Sequence, residues 1–333
     1  MPMTGLAFVG YGASMPARRR PSSELDAVFG QPSGWTEAQF GISSRGVASP
    51  EETTSVLGAR AARAALEMAG WGEGEFDVLI GACGVMEQPI PGTSVLIQNE
   101  LGLGKSGIWA FDVNQTCLSF LAALDIVAMG FATGRWKRAL VVSSDIASAG
   151  LDWGTPASAA IFGDGAAAVC IEARADGEGP ALISRRFETY GEGKDLAVLR
   201  SGGTRIRATD GYEALLEGAR FRMDAFGVFK AAARVLPRMI DGVLQEAGLT
   251  RATVDLVICH QASRPGVEHV RRLMGGDPDR VIDIFSDRGN QIAASLPSGL
   301  VEAQSLELLK PGTTVLLLGT AAGISAAAMV LRF

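Results

Sequence analysis

The stretch Asp112-Val-Asn-Gln-Thr-Cys-Leu-Ser-Phe-Leu-Ala-Ala-Leu124 has a counterpart far along the same chain, Asn290-Gln-Ile-Ala-Ala-Ser-Leu-Pro-Ser-Gly-Leu300. In both, an Asn-Gln pair leads into a serine that opens an apolar run, and one offset relates them (290 − 114 = 300 − 124 = 176). A second matched pair precedes these. Ala65-Leu-Glu-Met-Ala-Gly70 followed by Asp77-Val-Leu-Ile80 reappears as Val243-Leu-Gln-Glu-Ala-Gly248 followed by Asp255-Leu-Val-Ile258 (248 − 70 = 255 − 77 = 178). Each copy reads as helix, glycine stop, short connection and buried strand. Both apolar runs then lead to a further strand, Ala139-Leu-Val-Val-Ser143 in one half and Val315-Leu-Leu-Leu-Gly319 in the other. Two matches in one order at nearly one offset indicate an α/β unit present twice. The boundary is expected in the polar stretch Arg174-Ala-Asp-Gly-Glu-Gly-Pro180, giving halves 1–176 and 177–333.

Strands this dense in Val, Ile and Leu belong to sheets buried on both faces. The run from about Thr116 to Gly130 has only Ser119 and Asp125 as clearly polar residues, so its helix has no solvent face and must lie inside. Two mixed sheets around buried helices, with further helices outside, give a layered α/β/α/β/α architecture. The Gly- and charge-rich segment from Gly191 to Gly218 interrupts the repeat and reads as a loop or cap over a site.

With 333 residues, 47% hydrophobic and 20% charged, the chain has the composition of a compact enzyme of two domain-sized units. A formal charge of -6 argues against nucleic acid as a general partner. Gly, Asp or Arg breaks every apolar run before about 18 residues, so no membrane span is expected. The start MPMTGLAFVGYG lacks the basic opening and long apolar core of a signal peptide, and the expected location is the cytoplasm. The four cysteines have no CxxC or ligand spacing, so neither a metal site nor a disulfide framework is expected. Cys83, Cys170 and Cys259 sit in strand-like runs and read as small buried hydrophobes.

Cys117 has a different context. With Thr116 as N-cap and Cys117 as first helical residue, orphan N–H groups and the positive end of the helix dipole would favour a thiolate. The residues alone leave two readings open, a nucleophile or a small core residue. A nucleophile needs a proton partner, and the chain has two histidines. His260 directly follows the strand Asp255 to Cys259, at a strand end where functional side chains gather, although a hydrogen-bonded structural histidine would sit there too. His269, among Glu268, Arg271 and Arg272, reads as the solvated face of a helix. Asn290 holds in the second half the place of Asn114, and Ala293 that of Cys117 (293 − 117 = 176). The cleft would be asymmetric, with the nucleophile from one half and His and Asn from the other.

Other motifs carry less. Gly102-Leu-Gly-Lys-Ser106 resembles the end of a phosphate loop, but Asn99 stands where that motif needs glycine. Phe162-Gly-Asp-Gly-Ala-Ala-Ala168 lacks the acidic residue of a dinucleotide fingerprint, and its glycines read as permitting close packing. Gly319-Thr-Ala-Ala-Gly323 follows a buried strand, and such a turn can aim N–H groups at a developing oxyanion.

Taken together, DVNQTCLSF, IFGDGAAA, VICHQAS, DRGNQIAASLPSG and GISAAAMVLRF resemble the ketoacyl-acyl-carrier-protein synthase III group of the thiolase superfamily, over essentially the whole chain. The resemblance implies a thiolase-like duplicated five-layer fold, a homodimer, and a triad of Cys117, His260 and Asn290. It implies a decarboxylative Claisen condensation. Cys117 would take an acyl group from an acyl-CoA, and His260 and Asn290 would stabilise the enolate of a malonyl thioester on acyl carrier protein. The N–H groups of Cys117 and Ala322 would hold the tetrahedral oxyanion. No resident cofactor or metal is implied, coenzyme A and phosphopantetheine thioesters being substrates. Trp35 matches the tryptophan that stacks on adenine, Lys230 a carrier-docking position, and Ile90 the residue that closes the acyl tunnel from the partner subunit. Arg220, Arg222, Arg234 and Arg238 lie near Lys230 in sequence and read either as a basic patch for an acidic carrier or as a solvated helix face.

The chain also departs from the family pattern. The arginine that sandwiches adenine falls on Gln39, a second nucleotide-contacting arginine falls near Pro156, and the arginine after the HQA motif is shifted to Arg264. The terminal loop reads AAG, and Ile90 implies a primer whose size differs from acetyl. These departures point to a specialised relative, serving polyketide or other secondary metabolism or an unusual acyl chain, rather than the initiator of fatty acid biosynthesis. Two alternatives stand beside this reading. One is an acyltransferase or acyl-acyl condensing enzyme that does not decarboxylate, with Glu87 as its base; the other is a noncatalytic homologue that binds acyl carriers.

Overall fold

The computed structural model describes residues 4–175 and 179–333, so the expected boundary between 176 and 177 lies outside the described residues. Among the described residues, nine strands form the main sheet. The first half supplies β1 (Thr4–Ser14), β2 (Val78–Gly81), β3 (Trp109–Asp112), β4 (Arg138–Asp145) and β5 (Gly165–Arg174). The second supplies β6 (Ala181–Thr189), β7 (Leu256–Cys259), β8 (Thr314–Ala321) and β9 (Ser325–Arg332).

The order is β7-β8-β9-β6-β1-β5-β4-β2-β3, and it reads alike from either end. At one end β2 lies parallel between β3 and β4, β4 pairs antiparallel with β5, and β5 with β1. At the other, β7 runs parallel to β8, β8 antiparallel to β9, and β9 to β6. An isolated parallel bridge from Val281 to Val257 sits where β3 would be. The expectation of two separate sheets is corrected in one respect. Thr4 pairs with Leu182 and Gly5 with Ala181, joining the half-sheets edge to edge and satisfying backbone groups that two inner edges would leave open.

Six helices complete five layers. On one outside, α1 (Thr54–Ala69) and α2 (Thr93–Glu100) pack on the outer faces of β2, β4 and β5, with Leu57, Leu66, Leu79, Leu140 and Val142 in the seam. On the other, α4 (Ala225–Glu246) and α5 (Arg264–Leu273) cover β7 to β9. Between the half-sheets lie α3 (Ser119–Ala132) and α6 (Ser295–Ser305), whose Phe120, Leu121, Leu124, Leu296 and Leu300 are fully buried. Each such side chain contributes about 1.5–3 kcal/mol by leaving water. That explains why α3 tolerates so few polar residues.

The repeat is visible in local geometry. Gly70 and Gly248 both adopt left-handed φ values, 67° and 68°, just past α1 and α4. Asp77 accepts from the Arg138 N–H at the head of β4 (2.9 Å), and Asp255 from the Thr314 N–H at the head of β8 (2.8 Å). Each aspartate holds two parallel strands in register.

The segment from Gly191 to Gly218 contains a short strand, Ala197–Val198, paired with Arg222–Met223, and a helix, Tyr212–Gly218. Just before this segment, Tyr190 exchanges backbone hydrogen bonds with Ile324 (2.7 and 2.9 Å), and Gly193 packs so closely on Ile324 that a Cβ there would approach its nitrogen to 2.8 Å. Among the described residues no helix is long and apolar enough to cross a membrane, and no cluster of three metal-ligating side chains occurs.

Candidate active site

Cys117 sits in a turn rather than in a helix. The α3 helix begins at Ser119, with Leu118 as its boundary residue and no side-chain cap, so the expectation of Thr116 as N-cap is corrected. Thr116 adopts a left-handed φ of 49°, which an N-cap in the extended region would not. Ser119 closes the turn instead: its hydroxyl accepts from the Gln115 N–H (2.9 Å) and donates toward the Thr116 carbonyl (2.7 Å). Asn114 Oδ1 accepts from the Thr116 N–H (2.9 Å).

The second turn repeats this design. Ile292 has φ 53°, Asn290 Oδ1 accepts from the Ile292 N–H (2.8 Å), and Ser295 Oγ accepts from the Gln291 N–H (3.1 Å). With its oxygen so engaged, the Asn290 carboxamide keeps its NH2 for donation. The Gly163-Asp164-Gly165 motif proves to be the seat of this turn. Gly163 N–H donates to the Asn290 carbonyl (3.1 Å), the Asn290 N–H donates to the Ile161 carbonyl (2.7 Å), and a Cβ at Gly165 would collide with the Gln291 amide. Close packing was the right reading of those glycines; that they hold Asn290 was not legible.

Two glycines bring the walls together. A Cβ at Gly319 would meet Leu118 Cδ2 at 2.8 Å and His260 Cβ at 3.0 Å. A Cβ at Gly84 would meet Ile292 Cγ2 at 2.5 Å and the Thr116 carbonyl at 3.3 Å. The Cys117 turn, the end of β7 with His260, and the Asn290 turn therefore converge. Ala322 is half-buried in the turn between β8 and β9, three residues beyond Gly319.

Burial governs the protonation states. It pushes the Cys117 thiol up to about 12, with the Asp145 carboxylate adding to the effect. Burial thus opposes the thiolate that a position just before α3 would favour. Burial also lowers His260 to about 4, and its Nδ1 has no partner among the described residues. Burial therefore favours the neutral form of both groups. His269 is not on a solvated face; it is half-buried with its ring 5.8 Å from that of Phe229.

The outlying residues divide into two sets. Trp35 begins a short helix, Trp35–Phe40, and is half-buried against Phe29 and Phe40. Arg264 opens α5 with its stem across Gly41, at the C-terminal end of that same helix, on which Gln39 is exposed. Pro156 begins a separate short helix. Ile90 is 86% exposed on the loop after β2. Lys230 is exposed on α4, but the arginines near it are committed: Arg220 and Arg222 to Glu217, Arg234 to Glu192, and Arg238 to Glu188. The basic patch is therefore weaker than the sequence suggests. Glu87 is likewise engaged, accepting from the Ser55 N–H in the first turn of α1 (2.7 Å).

The layering and the convergence of two matching turns on one cleft define a protein of the thiolase fold. Residues 111–191 match the family model 3-Oxoacyl-[acyl-carrier-protein (ACP)] synthase III, and residues 244–333 its C-terminal model. A beta-ketoacyl-[acyl-carrier-protein] synthase III of Neisseria meningitidis serogroup C is 33% identical over 325 residues, covering 97% of this chain and 98% of the relative. The crystal structure of 3-oxoacyl-[acyl-carrier-protein] synthase III from Aquifex aeolicus superposes with a TM-score of 0.88 at 27% identity, covering 99% of this chain and 100% of that one. Xanthomonas campestris OleA shares the fold, with a TM-score of 0.86 at 21% identity, covering 100% of each chain. The chain belongs to the 3-oxoacyl-[acyl-carrier-protein] synthase III family and is a condensing enzyme of that family.

Proposed function

We propose that the protein transfers an acyl group from an acyl-CoA to Cys117 and condenses it, with loss of carbon dioxide, with a malonyl thioester on acyl carrier protein. The observation that carries this reading is the convergence of the Cys117 turn, the end of β7 with His260 and the Asn290 turn, with burial favouring a neutral His260 and the Asn290 NH2 left for donation. Cys117 Sγ attacks the thioester carbon as His260 takes its proton, and the N–H groups of Cys117 and Ala322 hold the oxyanion. Coenzyme A leaves as the thiol. The malonyl thioester then enters, and His260 and Asn290 donate to its carbonyl oxygen as carbon dioxide departs and the enolate forms. The enolate carbon attacks the acyl-cysteine, the C–S bond breaks to give the 3-oxoacyl thioester, and the departing Cys117 thiolate takes up a proton from solvent, restoring the thiol. No resident cofactor takes part.

A decarboxylating reaction is the reading supported by the Cys, His and Asn set; Glu87, the candidate base of a plain acyl transfer, has one oxygen engaged by the Ser55 N–H. Trp35 and Arg264 would receive the nucleotide of coenzyme A, and Lys230 would contact the carrier. Gln39 and Pro156 support a specialised pathway or primer. We assign the nucleophile to a half spanning 1–176 and its partners to a half spanning 177–333, in a cytoplasmic protein. A homodimer is supported by β3, whose outer edge is unpaired among the described residues and carries Trp109, 46% exposed, with Met86 and Ile90 exposed nearby in the chain. Light scattering should give twice the mass of one chain; a stable monomer would contradict the dimer. The reaction is tested by supplying an acyl-CoA and malonyl carrier thioester labelled in its free carboxyl. Carbon dioxide should be released in step with 3-oxoacyl product, whereas acyl transfer without carbon dioxide would favour the non-decarboxylating alternative.

A further inference from the structure

One buried carboxylate has no part in the chemistry above. Asp145 ends β4, is fully inaccessible to solvent, and faces no cationic side chain among its hydrogen-bond partners. Its partners are backbone N–H groups from two distant segments. Oδ1 accepts from Gly84 (2.8 Å) and Val85 (2.6 Å), in the loop that packs Gly84 between Thr116 and Ile292. Oδ2 reaches across to the second half and accepts from the Ala294 N–H (3.2 Å), two residues after Ile292. The titratable groups facing it are the thiols of Cys83 and Cys117, whose ionisation its charge opposes.

We propose that Asp145 is a positioning residue that ties the turn carrying Asn290 to the turn carrying Cys117, so that the enolate-stabilising carboxamide stands at a fixed distance from the acyl-cysteine. This rests on the proposed roles of Cys117 and Asn290. Burial pushes Asp145 up to about 7, and above that pH both oxygens accept, so one side chain can hold N–H donors on both sides of the cleft. A carboxamide cannot. In Asp145→Asn the oxygen can satisfy the Gly84 and Val85 donors, but the NH2 then faces the Ala294 N–H, donor against donor, and the Asn290 turn is released. Cys117 keeps its own turn, closed by Ser119.

The test uses Asp145→Asn and, because it adds no bulk, Asp145→Ser, with wild type in parallel. Acylation of Cys117 is read by intact-protein mass, condensation by steady-state kinetics, and thiol ionisation by the pH dependence of iodoacetamide alkylation at the Cys117 peptide. Acylation should persist while kcat for condensation falls about 100-fold, the scale of a misplacement near 1 Å. Alkylation should accelerate at lower pH than in wild type, because the negative charge beside the thiol is gone. Wild-type kcat with a wild-type alkylation profile would overturn the proposal. So would a loss of kcat with an unshifted profile, which would leave Asp145 a structural residue only. If wild type itself is not acylated, the assignment of Cys117 fails instead.

Discussion

Cys117→Ala should abolish condensation, with turnover reduced by at least ~10⁴-fold, because no other group can hold the acyl chain as a thioester. The remaining cysteines cannot substitute: Cys83, Cys170 and Cys259 are all buried, whereas Cys117 is partly accessible. The loss should be selective. His260 and Asn290 remain in place, so malonyl thioester should still lose carbon dioxide, giving acetyl thioester without 3-oxoacyl product. Quantifying both products by mass spectrometry checks this, and condensation within tenfold of wild type would remove Cys117 from the mechanism.

His260→Ala should lower condensation by about 10²- to 10⁴-fold, the range of a lost proton acceptor and enolate donor together. It should also change stability with pH in a determined direction. The folded His260 protonates only near pH 4, below the ordinary histidine value of 6.5, so the unfolded chain binds the extra proton first as pH falls. The stability contributed by the neutral folded histidine is complete above pH 6.5 and is lost progressively down to pH 4. Removing the side chain removes that loss. Relative to wild type, the variant should gain about 3 kcal/mol between pH 6.5 and 4, read by denaturant unfolding at each pH. A constant difference across that range would mean that His260 titrates normally.

The repeat was legible because it is written in residue types that act locally: a glycine past each helix, an aspartate before each strand, an Asn-Gln pair before each inner helix. The same offset located Asn290 and showed that Ala293 stands where Cys117 does. The start of α3 was not legible. Thr116 is a good N-cap by residue type, and nothing in a threonine announces a φ of 49°; Ile292, at the matching position, is no more suggestive. The effect of burial on Cys117 is illegible for a related reason. The helix terminus is a local feature that can be read from sequence, but the larger effect is burial between two sheets, which depends on residues far apart in the chain.

Asp145 and the Gly163-Asp164-Gly165 motif show a further limit. Both act on backbone N–H or carbonyl groups, which every residue type supplies, so their partners leave no signature. The one available signal was an aspartate ending an apolar strand, Leu140-Val-Val-Ser-Ser-Asp145, where a buried charge demands a reason. The arginines around Lys230 show a different limit. Arg234 and Arg238 pair with Glu192 and Glu188 from a distant segment, whereas Glu217, the partner of Arg220 and Arg222, stands beside them in sequence.

The central claim is that Cys117 carries the acyl group between the two half-reactions. Incubating the protein with a panel of acyl-CoAs and measuring its intact mass tests this most directly. A mass increase equal to the acyl group should appear, map to the Cys117 peptide, and disappear on addition of malonyl carrier thioester. No adduct from any thioester, or an adduct that persists in Cys117→Ala, would contradict it.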